Sequence, residues 1–260
     1  MKKWMVVGAV LLAGCSSSKP VVVPKQSSGF ASLDKASAET QRARALTNLA
    51  AAYYERAQYK IALDELRKAV AADSSYGPAY NVYGLIYTDL AEDKLADENF
   101  RRAIDLNSDD SEARNNYGWF LCTRGHYDAG LEQFSLALSN PLYARPEQAM
   151  VNAGQCAERK GDLFQAESSL VKALKLQPDN PNTILKLAGL NYRQGKLADA
   201  QRLLSRHESM AAPTAESLWL GVRLERRLGD RSQEAAYGLQ LRKRFPESNE
   251  ARLLQAGQYE

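Results

Sequence analysis

The chain has 260 residues, 45% of them hydrophobic and 25% charged, with a formal net charge of +3. These proportions match a folded globular protein, exclude general disorder and supply no electrostatic pull toward nucleic acid. Three cysteines exclude a disulfide-dense mini-scaffold, and two histidines leave little material for an imidazole metal site.

Met1-Lys2-Lys3 gives a short positive start, and Trp4 to Ala13 is an apolar run broken only by Gly8. The run is too short to span a bilayer core, which needs roughly 20 residues. A basic start, a short apolar stretch and small residues before a cleavage point together read as a secretory signal peptide over residues 1–14. Leu12-Ala13-Gly14-Cys15 resembles the bacterial lipobox, in which the cysteine is acylated and becomes the first residue after cleavage. The resemblance implies a diacylglycerol and an N-acyl chain on Cys15, with no other cofactor expected. Asp after the lipidated cysteine favours inner-membrane retention in such proteins. Ser16 stands there instead, which implies the periplasmic face of the outer membrane. Cleavage would also remove Lys2 and Lys3, so the positive charge says little about partners. Residues 15–36 read as a lipidated tether, since Ser16 to Gly29 carries three serines in a row, two prolines and no acidic residue.

Beyond the tether, four series of small residues repeat with a period of 34. One is Ala50, Gly84, Gly118, Gly154, Ala188, and a second is Ala57, Ala91, Gly125, Gly161, Gly195, Gly229. The others are Ala62, Ala96, Gly130, Ala166, Ala200 and Ala69, Ala103, Ala137, Ala173. Such a period is the tetratricopeptide helix–turn–helix signature. It predicts an all-α superhelix of six units over residues 37–250, at about 43–76, 77–110, 111–144, 147–180, 181–214 and 215–248, followed by a tail at 251–260. Small residues belong where two helices cross closely. Leu46, Leu49, Tyr53, Leu66, Tyr80, Tyr83, Tyr87, Phe100, Tyr117, Leu121 and Phe134 then fill the layer between helices. Asn140-Pro141 and Arg145-Pro146 flank a two-residue insertion between units three and four, and unit six is degenerate, with Glu234 where a small residue is expected.

No catalytic constellation emerges. His126 and His207 are not spaced with other ligands and read as surface or capping residues. Asp109-Asp110 and similar acidic pairs suit the N-terminus of a following helix. Neither an enzyme nor a small-molecule substrate is expected. Cys122 and Cys156 fall at one level on the first helices of neighbouring units. In an oxidising periplasm a disulfide would staple repeats three and four, and the other reading is two free, buried, small apolar side chains.

First helices line the groove of such arrays. The register projects Tyr54, Asn81, Leu85, Asn115, Trp119, Gln155, Tyr192 and Arg193 onto it. There the asparagines would hold a guest backbone and the aromatics would supply contact area. The alternative is that several of these eight are buried against the second helices.

The stretch Asn115-Asn116-Tyr117-Gly118-Trp119-Phe120-Leu121-Cys122, then Arg124-Gly125 and Tyr127, is similar to the PilF and PilW outer-membrane lipoproteins of type IV pilus biogenesis. The lipobox, the Ser/Pro tether and six repeats extend the resemblance over nearly the whole chain. It implies a pilotin, which helps the secretin subunit reach the outer membrane and multimerise. An adaptor that recruits peptidoglycan-processing enzymes fits the same architecture. A subunit of the β-barrel insertion machinery fits it less well, because six units exceed the number expected there.

Overall fold

The computed structural model describes residues 37–259. Cys15, the signal peptide and the tether lie outside the described residues. Within them the chain forms helices α1 (Ala38–Glu55), α2 (Tyr59–Ala72), α3 (Gly77–Asp89), α4 (Asp93–Leu106), α5 (Ser111–Thr123), α6 (Tyr127–Ser139) and α7 (Pro146–Lys160). These are followed by α8 (Leu163–Leu176), α9 (Pro181–Arg193), α10 (Leu197–Met210), α11 (Ala215–Leu228), α12 (Arg231–Arg244) and α13 (Asn249–Ala256). Each odd helix up to α11 packs on the next even one, giving six helix–turn–helix pairs. Neighbouring pairs touch through α1–α3, α3–α5, α5–α7 and α9–α11.

Local chemistry sets the helix boundaries. Side chains of Ser37, Asp110, Asp162, Asn180, Thr214, Asp230 and Ser248 accept from backbone N–H groups in the first turns of α1, α5, α8, α9, α11, α12 and α13. Thr214 and Ser217 form a reciprocal capping box. Pro178 and Pro246 each stand two residues past the end of a helix, which they cannot continue. The turn series has a conformational cause, because its members occupy the left-handed region: Ala57 at φ 56°, Ala91 at 59°, and the glycines from Gly125 to Gly229 at 76–92°.

The three helix series are buried throughout. At Gly84 an added Cβ would lie 2.6 Å from the Phe100 ring, and at Gly118 it would lie 2.9 Å from the Gly130 carbonyl. Those approaches are possible only without a side chain. Phe100, Phe134 and Leu66 are fully buried between the layers, as the periodicity predicts. Leu49 departs from it: it is 43% exposed, on the outer edge of α1.

The structure corrects the sequence reading at both ends. The first helix starts at Ala38, five residues ahead of the first predicted unit, because Ser37 caps it. Residues 251–260 are not a bare tail. Ser248 starts α13, which buries Ala251 against α11 and α12, and the Tyr259 ring stacks 5.8 Å from Trp219. Helix α13 begins 34 residues after α11, in step with the repeats, but none of the four small-residue series reaches this far.

The insertion after α6 is a tied loop. Asn140 Oδ1 accepts from the Leu142 N–H at 2.9 Å, and its amide donates to the Asp109 carbonyl at 3.2 Å. Arg145 pairs with Glu112 at 2.8 Å, and Tyr143 is buried beneath. Cys122 on α5 and Cys156 on α7 form a disulfide with their α-carbons 5.6 Å apart, across that same junction.

Candidate functional site

The eight projected groove residues divide into two sets. Tyr54, Asn81, Leu85 and Asn115 are buried, with exposures of 5%, 1%, 9% and 1%. Trp119, Gln155 and Tyr192 are half-buried, and Arg193 is exposed.

The buried set is a correction to the projection. Tyr54 and Leu85 belong to the apolar core of the first three repeats, where stacking of α1, α3 and α5 covers them. Burial and the neighbouring Asp89 push the Tyr54 hydroxyl far above its ordinary range. Asn81 and Asn115 bond to other asparagines instead of offering their amides to a guest. Asn116 donates to Asn81 Oδ1 at 3.2 Å, Asn115 donates to Asn116 Oδ1 at 3.4 Å, and Asn152 donates to Asn115 Oδ1 at 3.0 Å. Gln148 completes the chain, donating to Asn152 Oδ1 at 3.0 Å. The ladder joins the first helices of repeats two, three and four, and its four asparagines are at most 4% exposed. Its two inter-repeat rungs, Asn81–Asn116 and Asn115–Asn152, use the same pair of repeat positions.

Of the projected residues, Gln155 and Arg193 line a cavity of about 210 Å³ between α7, α9 and α11. Helix α7 contributes Gln155, Glu158 and Arg159, and α9 contributes Lys186, Gly189 and Arg193. Glu216 and Arg223 come from α11. Arginine–aromatic pairs frame it. The Arg159 guanidinium lies 4.9 Å from the Trp119 ring centre, and that of Arg223 lies 5.0 Å from Tyr192 and 5.5 Å from Trp219. Arg227 lies 5.0 Å from the same Tyr192 ring and donates to the Tyr192 carbonyl at 3.1 Å.

Arg193 pairs with Glu158, and Arg223 faces Glu216 without touching it closely enough for an ion pair. Partial desolvation lowers the affinity of Arg223 for its proton and does the same over the covered part of the otherwise exposed Arg193, and the Arg223 charge lowers that of Arg193 further. Of the cationic rim the projection holds Arg193 alone, although the signal for its neighbours is plain in the sequence. Arg159, Arg193 and Arg227 recur at steps of 34, so one repeat position is arginine three times running.

A second cavity of about 320 Å³ lies where the α4–α5 turn meets the end of α6. Its polar side chains are already engaged, with Arg114 on the Ser108 carbonyl and Asn140 on the Asp109 carbonyl. Among the described residues, no three His, Cys, Asp or Glu side chains stand together as a metal site. His207 is buried, not at the surface, with Nδ1 3.0 Å from the Pro181 carbonyl.

Tetratricopeptide-repeat family models match residues 77–110 and 158–216. The chain is 30% identical over 212 residues to the type IV pilus assembly protein PilF of Pseudomonas aeruginosa, covering 82% of this chain and 84% of that one. A solved structure of Pseudomonas aeruginosa PilF superposes with a TM-score of 0.75 at 29% identity, over 85% of this chain and all of that chain. The crystal structure of PilW, described as a widely conserved type IV pilus biogenesis factor, superposes with a TM-score of 0.78 at 31% identity, over 83% of this chain and 99% of that one. With its helical pairs, buried small-residue series and this kinship along most of its length, the chain belongs to the PilF and PilW family of tetratricopeptide-repeat proteins of type IV pilus biogenesis.

Proposed function

We propose that the protein is an outer-membrane pilotin, acylated on Cys15, that binds a type IV pilus secretin subunit and promotes its localisation and multimerisation. The observation that carries this reading is kinship with PilF over 82% of the chain. The groove between the first helices supports it, because a helical repeat array presents a surface and has no reaction chemistry of its own. Acyl chains would hold the array on the periplasmic face, each buried methylene adding about 0.8 kcal/mol. Confinement to the membrane raises the local concentration of groove against subunit, so capture gains strength without new contacts.

The test is a deletion strain complemented with the wild-type chain or with Cys15→Ser. The expected loss is of SDS-resistant secretin multimers and of twitching motility. Cys15→Ser should leave the fold intact, displace the protein from outer-membrane fractions and fail to restore either. Altered cell shape with intact multimers would overturn the reading in favour of an adaptor for peptidoglycan enzymes.

A further inference from the structure

The cavity between α7, α9 and α11 has three features that fold stability does not explain. The first is charge. Three arginines and one lysine meet there with two glutamates. Pairing of Glu158 with Arg193 leaves Arg159, Lys186 and Arg223 without an ion pair among the described residues.

The second is an orphan donor. Arg223 Nε is buried and has no hydrogen-bond partner among the described residues. Its guanidinium is held between the Tyr192 and Trp219 rings, so it is positioned but not satisfied. A buried donor of this kind is costly unless something supplies an acceptor.

The third is Gly189. It lies inside α9, its conformation does not demand glycine, and an added Cβ would meet nothing within 4 Å. Gly84 and Gly118 face atoms that exclude a methyl group and Gly154 faces Leu170 tightly, whereas Gly189 faces open cavity. Glycine weakens a helix interior relative to alanine. What it provides at this position is a patch of bare backbone on the cavity floor, where another chain can approach closely.

We propose that this cavity binds an acidic polypeptide segment, a carboxylate entering between Arg223 and Lys186 while the segment's main chain crosses α9 at Gly189. The inference deepens the pilotin reading and rests on it for the notion that the groove takes a protein guest. It commits to the chemistry of that guest. A carboxylate gives the Arg223 fork a bidentate acceptor and answers its unpaired Nε. Arg159 beside Trp119 extends the positive face toward repeat three, which suits a guest carrying several acidic residues along its length.

The probe is a fluorescein-labelled decapeptide of Gly, Ser and Ala carrying spaced aspartates, compared with its asparagine counterpart. Binding to the purified mature chain is read by fluorescence anisotropy at low and moderate salt. The aspartate peptide should bind about tenfold tighter, which corresponds to one good charge-assisted hydrogen bond. Its advantage should shrink with salt. Gly189→Ala should weaken binding while Tm stays level or rises, a combination that damage to the fold cannot produce. Arg223→Gln should erase most of the preference for aspartate. Equal affinity for the two peptides overturns the proposal, as does unchanged binding by Gly189→Ala. Competition by free glutamate at the peptide's own carboxylate concentration also overturns it, since the site would then read an anion and not a chain. A strain that assembles secretin normally while its purified protein shows no acidic preference sinks this inference and leaves the pilotin reading standing.

Discussion

Replacing Asn115 by alanine separates the buried ladder from the groove surface first expected of it. The amide accepts from Asn152 at 3.0 Å and donates to Asn116 at 3.4 Å, and the residue is 1% exposed. Its removal leaves two buried polar groups short of a partner, each costing about 1–3 kcal/mol. Asn152 loses the shorter bond, at about 2 kcal/mol, and Asn116 the longer one, at about 1 kcal/mol. Alanine is the better helix former by about 0.6 kcal/mol, which offsets part of the loss. The net expectation is a destabilisation of roughly 2–2.5 kcal/mol, read from urea unfolding by far-UV circular dichroism. Asn182→Ala on the exposed side of α9 serves as the control and should change stability by less than about 0.5 kcal/mol. If Asn115 were a guest contact, its replacement would weaken capture and leave the midpoint in place. A shift no larger than the control's would refute the ladder as a structural element.

Ala57→Gly and Ala91→Gly should each stabilise the chain by about 0.5–1 kcal/mol, since the left-handed strain on alanine exceeds the entropy that glycine adds to the unfolded chain. A lower Tm for either would contradict the turn geometry. Reducing the Cys122–Cys156 disulfide should cost up to about 4 kcal/mol from its separation of 34 residues. Identical urea midpoints with and without reductant, with thiols counted before and after, would argue against the bond. Burial raises the Asp110 carboxyl above its ordinary range, so its protonated form is favoured on folding and stability falls as pH rises through that raised value. Asp110→Asn keeps the cap and removes the buried charge. It should match wild type near pH 3 and exceed it near pH 7, and an equal difference at both would sink the argument.

The fold was legible because spacing is a direct imprint of packing. Even the Cβ of an alanine at Gly84 or Gly118 would collide with Phe100 or with the Gly130 backbone, so these crossing points appear in the sequence as glycine. The turn series was equally visible, but its cause needed backbone angles, because alanine at positions 57 and 91 does not announce a left-handed conformation. The groove was only half legible. A first helix turns one side toward its own partner helix, one toward the next repeat and one outward. Asn81 and Asn115 lie on the side turned toward the next repeat, where Asn116 and Asn152 meet them. Whether such an amide meets a guest or a second amide depends on how the first helices stack, which periodicity does not fix. Of the Arg159, Arg193 and Arg227 series the groove projection holds only Arg193, although the step of 34 links all three.

Helix α13 changes what the far end of the array can become. A solenoid whose last pair shows an unfinished apolar side can add a further copy, and head-to-tail addition that does not close makes fibres. Here Ala251 and Tyr259 occupy the place a seventh pair would take, with the Arg226 guanidinium 3.9 Å over the Tyr259 ring like a clasp. Head-to-tail stacking onto the apolar side of the last pair would first have to displace α13 and the Tyr259 ring.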